Sequence, residues 1–483
     1  MSYIDGKTYI NRINRLQNHV RINGEEITGN LSEHPAFSGA MKSQAKLYDM
    51  QHEKAYRDSL TYRVPETGER IGMSYLEPKT IKDLARRRRA IQIWARQSAG
   101  MMGRSPDYMN TVVMTFAACA DIFGEKRYSE NMRRFYQYCQ KNDISLTHTF
   151  IQPQVNRSPV YFEDGSDVIA ARIIGKNSEG LVIHGARLLA TQGGMTDELL
   201  VFPTGAFHVD SAYAYAFSIP SNTPGLTFIC RESFVGGKST YDHPLSSRFE
   251  EVDSIVLFDH VTVPWERVFL NGDISIASML YTESGFLPQQ VYQVTARNVM
   301  KTTFILGVLQ TMIDSIHIAE YQHIQEKTTE VITALEILKS LLTASEVHAS
   351  IDRWGTMTPD RQPLMAAMNY FPKLYPRLIE IVQLIGASGL VSIPTQQDFK
   401  SESGAELRKY LQAADRDGFE KVKLFRLAWD LSMSAFAGRQ ILYERFFFGD
   451  PVRLAAQTYR DYNRDKITNW INHFLNENDR KPH

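Results

Sequence analysis

Apolar residues recur at helical spacing from Thr80 to about Cys139: Ile81, Leu84 and Ala85 lead to Ile91, Ile93 and Trp94, then to Met109, Val112, Val113 and Phe116. This pattern predicts a mainly helical first part. Between about Leu146 and Leu270 the pattern changes to short β-rich runs, Val168 to Ile174, Leu181 to Ala190 and Ile255 to Phe258, separated by Gly, Asn, Asp and Pro turns. The segment Lys176-Asn177-Ser178-Glu179-Gly180 is expected to close one hairpin. Helical patterns return after Pro288. The stretch Val299 to Tyr321 sets Ile305, Val308, Leu309, Met312 and Ile313 on one stripe, and Val331 to Ile351 repeats the design. Two more helices are expected, from Leu374 to Leu390 and from Gly418 to Phe446.

Helices, then a small β region, then a helical bundle describe an α+β chain with segregated layers. The expected domains are residues 1–144, mainly helical; 145–272, β; and 273–483, a helical bundle with a C-terminal tail. A length of 483 residues fits this division, because it exceeds what one hydrophobic core organises.

Charge narrows the possible partners. Lys plus Arg and Asp plus Glu number 54 each, so no net field recruits nucleic acid or an anionic membrane. The run Arg86-Arg87-Arg88-Arg89 reads as the solvated face of an amphipathic helix with local ion pairs. Three scattered cysteines, Cys119, Cys139 and Cys230, make neither a disulfide framework nor a CxxC-type metal site, and point to a reducing cytoplasm. The N-terminus lacks an apolar signal core. The apolar stretch Leu378 to Pro394 carries Glu380 and is too short to span a bilayer, so a soluble, unsecreted protein is expected.

Several chemistries lack their motifs. There is no GxGxxG after a strand, no GxxxxGK[ST], no HExxH and no GxSxG, so Rossmann, P-loop, zincin and serine-hydrolase readings have no support. The pairs His317/His323 and His243/His260 lack ligand spacing, and no metal site is expected.

The segment Met101-Met102-Gly103-Arg104-Ser105-Pro106-Asp107-Tyr108-Met109-Asn110 is similar to the signature of the two-component, flavin-dependent 4-hydroxyphenylacetate 3-monooxygenase family. Leu146-Thr147-His148-Thr149-Phe150, Gln154-Val155-Asn156-Arg157-Ser158, Leu189-Ala190-Thr191 and the block from Tyr443-Glu444-Arg445-Phe446 to Arg453 also resemble family blocks, in order over nearly the whole chain. The resemblance implies an acyl-CoA dehydrogenase type of fold: a helical N-terminal domain, a middle β-barrel and a C-terminal four-helix bundle that assembles a homotetramer. It also implies FAD, delivered as diffusible FADH2 by a separate NAD(P)H-flavin reductase, with dioxygen as co-substrate and a small phenol as substrate.

Ortho-hydroxylation of a phenol is an electrophilic attack on the ring, faster when the phenol is shifted toward phenolate. A free phenol titrates near ~10 and histidine near ~6.5, so a neighbouring cation must lower the first value before an imidazole takes the proton. Arg104 supplies a permanent charge. By resemblance, Arg104, Tyr108 and His148 surround the substrate hydroxyl, with His148 as base and hydrogen-bond partner, Arg104 stabilising phenolate and Tyr108 orienting it. Without the surrounding motifs, an Arg four residues from a Tyr reads as a surface or capping pair and a lone His as a structural residue.

Resemblance further assigns His148, Gln154, Val155, Asn156, Arg157, Thr191, Phe446, Phe447, Phe448 and Gly449 to FAD. On residue type alone, Thr191 is also an ordinary strand-end residue and the three phenylalanines are also core aromatics. The stretch Pro203-Thr204-Gly205-Ala206-Phe207-His208 falls where the family places a loop over the substrate, so Thr204 and Gly205 are expected at the substrate carboxylate; a plain surface loop is the alternative.

Rivals remain at this stage. A 4-hydroxybutyryl-CoA dehydratase needs an iron–sulfur cluster and cysteines this chain lacks. An acyl-CoA dehydrogenase is suggested by Phe258 to Pro264 and Gln383 to Gly389, but gives Arg104, Tyr108 and His148 no role. A non-catalytic oligomeric helical scaffold is the reading from a different class.

Overall fold

The computed structural model describes residues 2–65, 67–149, 151–153, 169–203 and 210–476. Its first part holds helices α1 (Gly6–Leu16), α2 (Ser38–Met50), the single turn α3 (Arg57–Leu60), α4 (Ile81–Gln97), α5 (Pro106–Ala118) and α6 (Lys126–Asn142), with short strands β1 (Val20–Ile22), β2 (Glu25–Glu26), β3 (Thr61–Arg63) and β4 (Arg70–Gly72). Local chemistry explains the ends. Thr80 caps α4 in a capping box, its hydroxyl accepting from Asp83 N at 3.2 Å while the Asp83 carboxylate accepts from Thr80 N at 3.1 Å. Pro106 opens α5, where its fixed φ suits the first turn. Asp143 ends α6 in a left-handed conformation.

The middle part holds β5 (Leu146–Thr149), β6 (Arg172–Lys176), β7 (Gly180–Thr191), β8 (Glu198–Val201), β9 (Tyr215–Pro220), β10 (Leu226–Cys230), β11 (Asp253–Pro264) and β12 (Val268–Asn271), with one helical turn, α7 (Ser246–Phe249), before β11. They form two sheets, ordered β2-β1-β10-β11-β7-β6 and β12-β9-β8-β5. Where a barrel was expected, the described residues form these two separate sheets without a closed barrel, and the chain leaving β5 bridges to β7 through Ile151 and Leu188. The predicted hairpin joins β6 to β7, where the Asn177 side chain accepts from Glu179 N and Gly180 N, each at 2.9 Å. The strand expected from Val168 begins at Arg172, and Val168 itself lies outside the described residues.

After α8 (Ile274–Glu283) come the long helices α9 (Phe286–Ser315), α10 (Gln322–Val347) and α11 (Arg361–Gly386), the short α12 (Gly404–Tyr410), then α13 (Gly418–Ser432), α14 (Ala435–Phe446), α15 (Pro451–Asp461) and α16 (Asp465–Asn476). Three expectations need correction. The helix expected to reach Tyr321 stops at Ser315, beyond which His317 takes φ 51°. Ser350 and Ile351 pair with Met357 and Thr358 instead of extending α10. The single helix expected from Gly418 to Phe446 is two, because the Ser434 hydroxyl accepts from Ala437 N at 3.1 Å and caps a new helix.

The arginine run is also not a uniform solvated face. Arg87 is buried and donates to Ser74 O at 2.9 Å, Leu76 O at 2.7 Å and the Thr111 hydroxyl at 2.8 Å, tying α4 to α5. Arg88 pairs with Glu346 of α10 at 2.6 Å, and only Arg89 is exposed. Among the described residues no helix is long and apolar enough to cross a membrane. All three cysteines are buried and free.

Candidate active site

The segment leading into α5 carries Arg104, which is buried in spite of its charge. Two N–H groups anchor its backbone to Glu251: Gly103 N donates to Oε2 at 2.6 Å and Arg104 N to Oε1 at 2.7 Å. At the other end of the side chain, Nη1 donates to the Tyr443 hydroxyl at 3.0 Å. The guanidinium carbon lies 4.6 Å from the centre of the Tyr108 ring and 5.3 Å from that of Phe447. Among the described residues no carboxylate forms an ion pair with this guanidinium, and its Nε has no hydrogen-bond partner.

Tyr108 lies in the first turn of α5, whereas Arg104 precedes the Ser105 N-cap and stands in the turn before the helix, from which its guanidinium reaches over the Tyr108 ring. Burial pushes the Tyr108 phenol up to about 12, so it remains a protonated donor. His148 projects from β5 with its ring centre 5.7 Å from that of Tyr108. Burial first, and the Arg104 charge second, hold its imidazole well below the usual histidine range, so it is neutral at pH 7.

Strand β5 is fixed against β7 on either side of His148: the Thr147 hydroxyl donates to Thr191 O at 2.6 Å and the Thr149 hydroxyl to Leu188 O at 2.7 Å. The Thr191 hydroxyl donates to Asp253 Oδ1 at 2.7 Å. Asp253 also receives the Arg439 fork at 2.7 and 3.0 Å, and this pairing keeps its carboxyl well below the ordinary range despite burial.

From the end of α14, Phe447 reaches the same place, its ring centre 5.6 Å from that of Tyr108 and 4.9 Å from that of Tyr443. The structure therefore gathers Arg104, Tyr108, His148 and Phe447. Phe448 stacks edge-on against Phe447 at 4.7 Å and packs into the bundle core. Phe446 is not gathered, being 48% exposed, and Gly449 turns the chain at φ 100°. Gln154, Val155, Asn156, Arg157, Thr204 and Gly205 lie outside the described residues.

Further residues build this region, of which Tyr443 and Glu444 stand in a quoted family block without an assigned role, and Glu251, Arg297 and Lys301 stand in none. Glu251 and Tyr443 hold Arg104, while Glu444 binds Arg297 at 3.1 Å and Lys301 at 2.6 Å within the bundle. Arg297 and Lys301, spaced i,i+4 inside an otherwise uncharged stretch, were a readable signal; Glu251 left none. His184, Asp259 and His260 also gather, with ligand atoms within 4.8 Å of one another. That group sits where β11 bulges against β7 between Phe258 and Val261, a pairing that sequence spacing does not reveal.

The chemistry of the donor set fits the groups that the resemblance implies. Buried N–H donors on Arg104 Nε, Arg297 Nε and Arg297 Nη1 lack partners among the described residues and surround the rings of Tyr108, Tyr443 and Phe447. Surplus donors between aromatic walls suit a planar, electron-rich or anionic group, which both a phenolate and a reduced flavin present.

Fold and site thus define a buried cluster of cations and aromatic rings, contributed by the segment before α5, strand β5 and the end of α14. Two family models cover nearly the whole chain: 4-hydroxyphenylacetate 3-hydroxylase N terminal at residues 5–270 and 4-hydroxyphenylacetate 3-hydroxylase C terminal at residues 277–476. The chain belongs to the 4-hydroxyphenylacetate 3-hydroxylase family. It is 50% identical over 477 residues to the probable 4-hydroxyphenylacetate 3-monooxygenase of Bacillus subtilis, covering 98% of this chain and 99% of that relative. It is 45% identical over 473 residues to the 4-hydroxyphenylacetate 3-monooxygenase oxygenase component of Thermus thermophilus, covering 98% and 97%. The crystal structure of an oxygenase component complexed with FAD and 4-hydroxyphenylacetate superposes with a TM-score of 0.94 at 44% identity, covering 98% of this chain and 99% of that one.

Proposed function

We propose that this chain is the oxygenase component of a two-component monooxygenase that converts 4-hydroxyphenylacetate to its catechol, using dioxygen and FADH2 from a separate NAD(P)H-flavin reductase. The observation that carries the reading is the Arg104 guanidinium, buried over the Tyr108 ring with no carboxylate partner among the described residues and with His148 neutral beside Tyr108. The solved relative complexed with FAD and 4-hydroxyphenylacetate supports the same ligands here.

When bound, the flavin supplies the activated oxygen; the protein's part is to hold the phenol and manage its proton. Arg104 stabilises the phenolate oxygen as the proton leaves. The neutral His148 imidazole accepts that proton at a ring nitrogen, and the Tyr108 hydroxyl donates to the same oxygen and fixes the ring. The Arg104 field that weakens His148 as a base also makes the phenol a stronger acid, so the transfer stays matched. Aromatic walls keep water from the reacting centre.

In this reading Gln154, Val155, Asn156, Arg157, Thr191 and Phe446 to Gly449 hold FAD, and Thr204 and Gly205 meet the substrate carboxylate. The protein works in the cytoplasm as a homotetramer of three-domain subunits divided near residues 144/145 and 272/273. The apolar stripe Ile467, Trp470, Ile471, Phe474 and Leu475 of α16, exposed throughout, supports self-association. The test is to substitute Arg104→Ala and His148→Ala separately. Both variants are expected to fold and assemble yet lose catechol formation by about 100-fold or more. Near-normal catechol yield from either overturns the assignment.

A further inference from the structure

Glu251 lies between α7 and β11 and is fully buried, yet its carboxylate is spent mainly on neutral donors. Gly103 N and Arg104 N take one oxygen each, at 2.6 and 2.7 Å, and Gln192 Nε2 adds a third bond at 2.9 Å. The nearest described cation is Arg439, whose Nη1 stays 3.9 Å away because its fork is engaged with Asp253. Consecutive backbone N–H groups form an anion-binding nest, and a carboxylate seated there fixes the peptide to within a fraction of an ångström.

The other end of Arg104 is fixed as firmly. Tyr443 accepts from Nη1 at 3.0 Å, and its own ring is covered by Arg439 at 4.7 Å and Arg297 at 5.4 Å. Burial raises the Tyr443 phenol, so it stays a neutral acceptor and leaves the guanidinium charge undiminished. Tyr443 can come this close only because residue 103 is glycine: a Cβ there would lie 2.1 Å from the Tyr443 oxygen.

We infer that Glu251 and Tyr443 form a two-point clamp on Arg104, one at its backbone and one at its guanidinium, and that both are positioning residues for hydroxylation. The inference rests on Arg104 being the group that stabilises phenolate. Its logic is geometric: a carboxylate paired directly with the guanidinium would cancel the charge the phenol needs. Glu251 instead holds the peptide, so Arg104 is placed without being neutralised. No motif containing Arg104 reveals this arrangement, since one clamp residue lies in the sheet region and the other in the bundle.

The test is a double-mutant cycle with excess reduced FAD, reading kcat/KM for catechol formation from 4-hydroxyphenylacetate. Glu251→Gln turns one acceptor into a donor facing a donor, and is expected to cost about 100-fold by displacing the guanidinium. Tyr443→Phe removes only a hydroxyl and is expected to cost about 10-fold. In an Arg104→Ala background each should cost less than about 3-fold, because a clamp with nothing to hold is idle. A 4-hydroxyphenylacetate bearing a ring halogen has a more acidic phenol and should recover most of the loss in both single variants.

Losses that persist in the Arg104→Ala background, or that fall equally on both phenols, mean a general structural role and overturn the clamp. Should Glu251→Gln fail to fold, the Tyr443→Phe cycle decides alone. If Arg104→Ala itself retains normal kcat/KM, the reading of Arg104 has failed; if it is crippled while Glu251→Gln and Tyr443→Phe are normal, only the clamp has.

Discussion

A buried guanidinium with no carboxylate partner among the described residues costs several kcal/mol in desolvation, which the rings of Tyr108 and Phe447 and the Tyr443 hydroxyl offset only in part. Arg104 is thus held for what binds beside it. Replacing it with alanine should leave the thermal midpoint unchanged or raise it, while catechol formation collapses; a midpoint lowered by several degrees would show that Arg104 is structural instead. His148 yields a pH prediction. Its folded pKa lies below the unfolded value near ~6.5, so the unfolded chain binds the extra proton in that window. Its contribution to stability is therefore complete above ~6.5 and is lost as pH falls below it. For the same reason kcat/KM should run flat through pH ~6.5, and an acid limb centred there would contradict a neutral His148. At this scale Arg104, Tyr108 and His148 were legible through their motifs. Glu251 was not, because a carboxylate accepting backbone N–H groups from a distant segment leaves no spacing in the chain.

Elements were legible where one face is apolar. The stripes behind α4, α5, α9 and α10 read correctly as helices, and the Asn177 turn as a hairpin. Boundaries failed where polar chemistry overrides the stripe: a serine cap at Ser434 divides α13 from α14, and a short β-pairing at Ser350 follows α10. The arginine run misled because charge alone does not show that Arg87 satisfies two carbonyls and a hydroxyl in the interior. The buried set Arg297, Lys301 and Glu444 locks α9 to α14 next to Tyr443 and Phe447, and burial pulls Lys301 down to about 8 against the opposing pull of Glu444. Glu444→Ala strands two buried cations and should cost about 3–5 kcal/mol in denaturant unfolding. A loss under ~1 kcal/mol would mean the pair is dispensable.

Among the described residues two large cores are visible, one joining the N-terminal helices to the sheets and one joining α2 and α4 to the C-terminal helices, beside a small cluster of Tyr241, Phe399 and Val422; the candidate site lies where Arg104, His148 and Phe447 arrive from different parts of the chain. The three-part order was readable from periodicity. The convergence was not, since it depends on tertiary packing. Helix α16 buries no residue of its own, so if the chain assembles as the proposed homotetramer, removing residues from Asp465 onward should give smaller species in light scattering while the remaining fold persists; an unchanged mass would assign that stripe elsewhere. The reaction itself is open to direct test. The most direct measurement mixes the protein anaerobically with reduced FAD and 4-hydroxyphenylacetate, admits dioxygen, and quantifies dihydroxyphenylacetate against hydrogen peroxide. Dihydroxyphenylacetate close to one equivalent per reduced FAD, with little peroxide, is the predicted result, and peroxide alone with no hydroxylated product would contradict the account.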